Sequence, residues 1–137
     1  MTDTPLKKKA KILLIDDDPF FINMYSIKFK PPEFELSSLK NADGDFVNIV
    51  VGILPDLILI DLDFPGCARN GAEAAKALQF DERTKSIPIF FLTNAADTSQ
   101  VRLAQHVPTA GFLKKASLTP SQVVMRVRAF LGKQLTQ

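Results

Sequence analysis

The 137-residue sequence predicts an α/β fold in which a parallel β-sheet is covered by helices on both faces. Short apolar runs such as residues 12–15 and 57–60 contain no polar residue, which is typical of parallel strands buried on both sides. Longer stretches with helical spacing separate these runs along the chain. The length favours a single domain, because domains usually contain about 100–150 residues.

Five segments are predicted as strands, and four of them end at polar residues. The four are residues 12–15, 57–60, 87–92 and 111–113. The polar residues that follow them are, in the same order, Asp16 with Asp17 and Asp18, Asp61, Thr93, and Lys114 with Lys115. Residues 34–39 alternate between apolar and polar side chains and are predicted to form an edge strand.

Helices are predicted in the intervals between the strands. The first has Asp18 as its cap and Pro19 as its first residue, and two prolines end it after about residue 29. The last has Thr119 as its cap and Pro120 at its first position, and Gln122 completes a capping box. The other three are predicted from residue 43 or 44 to about 52, from 70 or 71 to about 80, and from 97 to about 106.

The net charge of +2 is unevenly distributed. Residues 1–11 contain four lysines and one aspartate, so the remainder carries a charge of −1. We interpret residues 1–9 as a solvated basic tail, residues 10–132 as the folded domain and residues 133–137 as a C-terminal tail. The few basic residues beyond Lys115 are too sparse for a nucleic-acid interface, so DNA binding is not expected.

The sequence has one cysteine, Cys67, which cannot form an intramolecular disulfide. A single thiol is typical of a reducing compartment. Neither a signal peptide nor an apolar run long enough to span a bilayer is recognisable. We therefore expect a cytoplasmic protein without a membrane span.

The carboxyl ends of parallel strands meet at one edge of the sheet, so the polar residues after the strands are expected on a common rim. Carboxylates 4 Å apart repel by about 4 kcal/mol per pair at an effective dielectric near 20, which favours raised pKa values or a bound divalent cation. A set of oxygen ligands suits Mg²⁺. Thr93 and Lys115 can then hold a phosphoryl group, and Asp61 can accept it as an acyl phosphate.

The strings KILLIDDDP, DLILIDLDFPG, IPIFFLTN and GFLKKAS, in this order and spacing, resemble the receiver domain of two-component response regulators. The resemblance covers about residues 10–132. It implies a flavodoxin-like, doubly wound, five-stranded parallel sheet in the order 2-1-3-4-5 with five helices.

The resemblance also implies the site residues. Asp61 corresponds to the phosphoacceptor, and Asp61 and Asp17 correspond to direct Mg²⁺ ligands. Asp16 is expected to act through water, and the backbone carbonyl of Asp63 is expected to be a third protein ligand.

Three further residues have roles by the same resemblance. Thr93 corresponds to the switch hydroxyl, Lys115 to the phosphate-binding lysine, and Phe112 to the aromatic side chain whose rotamer reports activation. Phosphorylation is then expected to remodel the surface formed by the last strand and its flanking helices.

The implied activity is that of a signalling domain, not an enzyme, apart from self-phosphorylation and self-dephosphorylation. The phosphoryl donor is expected to be a sensor histidine kinase or a histidine phosphotransfer protein, and the output a protein–protein contact. Because the resemblance covers nearly the whole chain, we expect a stand-alone receiver without an output domain.

The sequence departs from the family pattern at three places. Ala116 follows the lysine where the family usually has a proline, often after a cis bond. A cis bond before Ala116 would cost about 3–4 kcal/mol, so the bond is either trans or held by its surroundings. Asn94 follows Thr93 where a small residue is usual, and residues 67–70 lengthen the loop after the third strand.

Two alternatives remain open from the sequence. The first is a pseudo-receiver that binds partners and never carries phosphate, which Ala116 and Asn94 would allow. The second is a haloacid-dehalogenase-type phosphatase, because Asp61-Leu62-Asp63 resembles the DxD motif of that superfamily. Pro65 and the absence of an acidic residue after Lys115 oppose the phosphatase.

Overall fold

A computed structural model describes residues 9–62, 69–93, 101–102 and 104–135. The strands in these residues are β1 (Ala10–Ile15), β2 (Phe34–Leu39), β3 (Leu57–Asp61), β4 (Ile89–Thr93) and β5 (Gly111–Lys114). The helices in the same residues are α1 (Pro19–Lys28), α2 (Phe46–Ile53), α3 (Gly71–Phe80) and α4 (Pro120–Leu135).

All five strands belong to one sheet in the order β2-β1-β3-β4-β5, and every neighbouring pair is parallel. The predicted fold class and strand order are confirmed. The helix predicted from residue 97 to about 106 lies partly outside the described residues, but Val101, Arg102 and Ala104 have helical backbone. The described part of the chain therefore contains four complete helices where five were predicted.

Side chains alternate between the two faces of the sheet, and each face has its own apolar layer. On one face, helices α2 and α3 cover residues that include Leu13, Ile15, Ile58, Ile60 and Phe91. On the other face, helices α1 and α4 cover residues that include Ile12, Leu14, Leu57, Leu59 and Leu92. Strands β3 and β4 are buried along their whole length, which explains why the sequence reads as continuous apolar runs there.

Local hydrogen bonds fix several helix starts. The Asp18 carboxylate accepts a hydrogen bond from the Phe20 backbone at 2.9 Å, as predicted. Thr119 and Gln122 form the predicted capping box, with bonds of 3.2 and 2.8 Å. Helix α3 has a second capping box between Asn70 and Glu73, which the same sequence rule could have found.

Three predicted boundaries are wrong by two residues or more. Strand β1 begins at Ala10 and not at residue 12. Helix α2 begins at Phe46 because Gly44 has a positive φ of 59°, a conformation that does not continue a right-handed helix. Strand β4 begins at Ile89 because Pro88 has no backbone N–H to pair. Among the described helices, none is both long and apolar enough to cross a membrane.

Candidate functional site

Three carboxylates meet at the carboxyl end of the sheet. Asp16 and Asp17 follow β1, and Asp61 ends the neighbouring strand β3. One oxygen of each lies within 4.8 Å of the other two. Asp16 is fully buried and Asp61 is 6% exposed, whereas Asp17 faces solvent. The acidic cluster predicted from the sequence is therefore assembled, with Asp17 at its solvent-exposed side.

Lys115 brings a buried ammonium into the same pocket. It follows β5, and its backbone N–H donates to the Thr93 carbonyl at 2.8 Å. Its Nζ lies 2.6 Å from Asp16 Oδ2 and 3.3 Å from Asp61 Oδ2, and its side chain is 2% exposed. One ammonium among three carboxylates leaves the pocket with a formal charge of −2.

The two oxygens of Asp16 differ in their surroundings. Oδ1 accepts a hydrogen bond from the Asp18 backbone N–H at 2.9 Å, which turns the chain after β1. Oδ2 is buried in ionic contact with Lys115 but accepts no hydrogen bond of good geometry from the described residues. A buried oxygen with spare acceptor capacity and an all-carboxylate donor set fit a hard, hydrated cation such as Mg²⁺.

Two of the remaining predicted residues, Thr93 and Phe112, belong to the described strands. Thr93 ends β4 at the same edge and is buried. Phe112 is half-buried in β5 and packs against Phe91, with ring centroids 5.4 Å apart. Asp63 lies outside the described residues, as do Asn94 and Cys67.

The Lys115–Ala116 peptide bond, where the sequence left cis and trans open, lies in a described turn. Among the described residues the only cis peptide bond is Pro31–Pro32, so the Lys115–Ala116 bond is trans. The backbone N–H groups of Ser117 and Leu118 both donate to the Lys114 carbonyl, at 3.1 and 3.0 Å. The lysine is thus held at the start of a hydrogen-bonded turn.

Helix α1 contributes two site residues that the sequence analysis missed. The Phe21 ring lies over Lys115, with Nζ 4.3 Å from the ring centroid. Tyr25 stacks on Phe21 at 6.1 Å, and burial, together with the charges of Asp16 and Asp61, raises the pKa of Tyr25 to about 12. The spacing of four residues between the two aromatics, which places them on one helix face, is the sequence feature that could have indicated them.

Gly71 allows helix α3 to start directly against the end of strand β3. Its backbone N–H donates to the Leu62 carbonyl at 3.2 Å. A Cβ at this position would lie 2.3 Å from the Asp61 carbonyl oxygen and 2.7 Å from Leu62 Cα. Only glycine fits this approach, whereas the sequence pattern indicates no more than a helix start at position 71.

Arg69 ties the end of the lengthened loop to the segment before α2. Its guanidinium donates to the carbonyls of Ala42 and Gly44, at 2.8 and 3.3 Å, and lies 5.3 Å from the ring centroid of Phe46. This anchor fixes the chain on the helix side of the loop that follows β3. Nothing in the sequence pattern indicated it.

An acidic pocket with a buried lysine, at the carboxyl edge of a sheet in the order 2-1-3-4-5, defines a receiver-like α/β domain. The family model for the response regulator receiver domain matches residues 12–128. The chain belongs to the response regulator receiver domain family.

Curated relatives match over most of this chain but over only part of their own length. The DNA-binding response regulator MtrA of Mycolicibacterium smegmatis is 32% identical over 126 residues, which are 91% of this chain and 52% of that protein. The DNA-binding dual master transcriptional regulator RpaA of a Synechocystis strain is 33% identical over 84 residues. The chain thus spans about half the length of MtrA.

Solved structures share the fold. The chemotaxis protein CheY4 of Vibrio cholerae superposes with a TM-score of 0.75 at 21% identity, covering 88% of this chain and 98% of that one. The receiver domain of a sensor histidine kinase from Pseudomonas aeruginosa, solved with a magnesium ion in its active-site cleft, gives 0.76 at 20% identity, covering 90% and 98%.

Proposed function

We propose that this chain accepts a phosphoryl group from a phosphohistidine donor onto Asp61 and signals by binding another protein. The observation that carries the proposal is the meeting of Asp16, Asp17 and Asp61 with the Lys115 ammonium in one pocket of a receiver-family domain. We assign residues 10–132 to this domain and propose that it works in the cytoplasm.

Mg²⁺ is the cation that the donor set favours. Asp17 and Asp61 are proposed as direct ligands, Asp16 as a ligand through water, and the carbonyl of Asp63 as a further ligand. When bound, the ion neutralises charge on the carboxylates and on the phosphoryl oxygens. The proposal is supported by the oxygen-only donor set and by the solvent access of Asp17.

The transfer itself uses an oxygen of Asp61. This oxygen forms a bond to phosphorus while the phosphorus–nitrogen bond of the donor histidine breaks, and the bonding electrons leave with the imidazole. Lys115 is within reach of Asp61 and is proposed to pair with a phosphoryl oxygen. Thr93 lies at the end of the neighbouring strand, and its hydroxyl is proposed to donate a hydrogen bond to a second phosphoryl oxygen.

The output is proposed to follow from Thr93 and Phe112. A phosphoryl group on Asp61 draws the Thr93 hydroxyl toward it, and Phe112 then changes rotamer beside Phe91. The surface of β5 and α4 changes with it, which biases binding of a downstream protein. The input partner is proposed to be a sensor histidine kinase or a histidine phosphotransfer protein. DNA binding, named for the longer relatives, is not proposed for these residues.

Labelling with acetyl phosphate tests the assignment. The wild type should incorporate phosphate only when Mg²⁺ is present, and Asp61→Asn should incorporate none. Asp56→Asn is the matched control, because Asp56 lies at the opposite end of the same strand and accepts a hydrogen bond from the Lys11 backbone at 2.7 Å. Persistent labelling of Asp61→Asn would overturn the proposal.

The same samples distinguish a pseudo-receiver from a receiver that carries phosphate. A pseudo-receiver would stay unlabelled and would not respond to beryllofluoride with Mg²⁺ when followed by NMR. A receiver should show shifts at Thr93 and Lys115. The phosphatase alternative, which the family match disfavours, would hydrolyse p-nitrophenyl phosphate with turnover.

A further inference from the structure

We propose that Phe21 is a positioning residue for phosphoryl transfer, because the face of its ring holds the Lys115 ammonium in the pocket. The inference rests on the proposed function and extends it to a residue of helix α1. No motif of the acidic cluster includes Phe21, and its role follows from a contact between two segments far apart in the sequence.

The contact has the geometry of a cation–π interaction. Lys115 Nζ lies 4.3 Å from the Phe21 ring centroid, well inside the range of about 6 Å in which the ring quadrupole attracts a cation. The lysine side chain is 2% exposed, so water screens this attraction weakly. The ring is therefore a substantial partner for the ammonium.

The neighbouring aromatic residues fix the orientation of the ring. Tyr25 stacks on Phe21 at 6.1 Å with an interplanar angle of 27°, and Phe20 meets it edge-on at 5.5 Å. Tyr25 is buried and its ring in turn contacts the ring of Phe29, with centroids 6.4 Å apart. Phe21 thus packs against two other rings, which restricts the orientation of its face.

The ring differs from the other partners of Lys115 in one respect. The carboxylates of Asp16 and Asp61 attract both the ammonium and an incoming divalent cation, so they are shared when the ion binds. The Phe21 ring is neutral and offers no ligand to Mg²⁺. It gives the ammonium an attachment that persists while the carboxylates turn to the ion and the phosphoryl group.

A purely apolar role for Phe21 is the alternative, since the ring also packs against the layer formed by α1 and α4. Fluorinated phenylalanines separate the two roles, because fluorine nearly preserves the shape of the ring and withdraws negative charge from its face. We would incorporate mono-, di-, tri- and pentafluorophenylalanine at position 21 and measure the rate of phosphorylation by acetyl phosphate.

The rate should fall steadily along the series, by about tenfold in total, which corresponds to 1.4 kcal/mol. The same series at Phe80 is the matched control, because that ring is 91% exposed at the end of α3. Its rates should stay level, and the free energy of unfolding should be similar in both series. If the protein is labelled but its phosphorylation rate does not change along the series at position 21, the positioning role of Phe21 is overturned and the proposed function is not.

NMR provides a readout that does not need phosphate. The Lys115 side-chain methylene protons should show an upfield ring-current shift in the wild type. That shift should be lost in Phe21→Leu and kept in Phe80→Leu. Unchanged shifts in Phe21→Leu would overturn the inference. A wild type that is never labelled would instead overturn the proposed function and, with it, the positioning role.

Discussion

Replacing Lys115 with methionine removes the ammonium that lies 2.6 Å from Asp16 and 3.3 Å from Asp61, while an unbranched side chain of similar length remains. Asp16 is fully buried, so its carboxylate loses its ionic partner where the surrounding protein limits hydration. Removing one partner of a buried ion pair costs about 3–5 kcal/mol. We expect Lys115→Met to lose about this much unfolding free energy when divalent ions are chelated.

Mg²⁺ should recover more stability in this variant than in the wild type, because the ion no longer competes with the ammonium for the carboxylates. An ion present at 100 times its Kd adds about 2.7 kcal/mol to the folded state. The assay is urea unfolding followed by circular dichroism, with EDTA and with a saturating Mg²⁺ concentration. The variant should also bind Mg²⁺ more tightly in calorimetric titration.

Lys114→Met is the matched control, because Lys114 is the adjacent lysine and is exposed. Surface substitutions of this kind change stability by less than about 0.5 kcal/mol. The reasoning is refuted if Lys115→Met loses less than about 1 kcal/mol in EDTA, since a buried unpaired carboxylate must cost more than that. Equal losses in the two variants would refute it as well.

Three more predictions concern residues around the site and one helix end. Gly71→Ala places a Cβ 2.3 Å from the Asp61 carbonyl oxygen, so it should lower the free energy of unfolding by about 3 kcal/mol and weaken Mg²⁺ binding. The control is Gly52→Ala, which has open space around the new Cβ and should be neutral or stabilising in urea unfolding. Unaltered stability of Gly71→Ala would contradict the close approach. Leu54→Gly should stabilise by about 1 kcal/mol, because Leu54 ends α2 at a φ of 50° with its side chain 58% exposed, and a measured loss would contradict this. The pKa of Tyr25, the only tyrosine, should be about 12 when the folded protein is titrated by tyrosinate absorbance, and Asp16→Asn should lower it. Because this folded pKa lies above the ordinary value of 10.0, the contribution of Tyr25 to the free energy of unfolding should be fully present below pH 10 and should be lost between pH 10 and about 12. A titration midpoint near 10 in the folded state would contradict the assignment.

Much of the site follows from the sequence because the parallel topology determines which residues meet. Once residues 12–15 and 57–60 are identified as neighbouring buried strands, the aspartates after them must share an edge of the sheet. Because β5 is parallel to the other strands, Lys115 after its end lies at the same edge. No side-chain detail is needed for these conclusions, since they depend only on strand direction and strand order.

The remaining features depend on tertiary contacts that no local pattern encodes. The closer approach of Lys115 to Asp16 than to Asp61 depends on side-chain packing, as does the position of Phe21 over the ammonium. The need for glycine at position 71 arises only where α3 meets the end of β3. The predicted ends of elements also depend on backbone conformation: α2 begins later in the sequence than predicted because Gly44 has a positive φ.

Borohydride trapping of the phosphorylated protein tests the central assignment most directly, because it reduces an acyl phosphate to an alcohol that mass spectrometry can locate in a peptide. After treatment with acetyl phosphate and Mg²⁺, the account predicts homoserine in place of Asp61, and no such product without Mg²⁺ or in Asp61→Asn. A reduction product at Asp16 or Asp17, or none at all in folded wild-type protein with Mg²⁺, would contradict it.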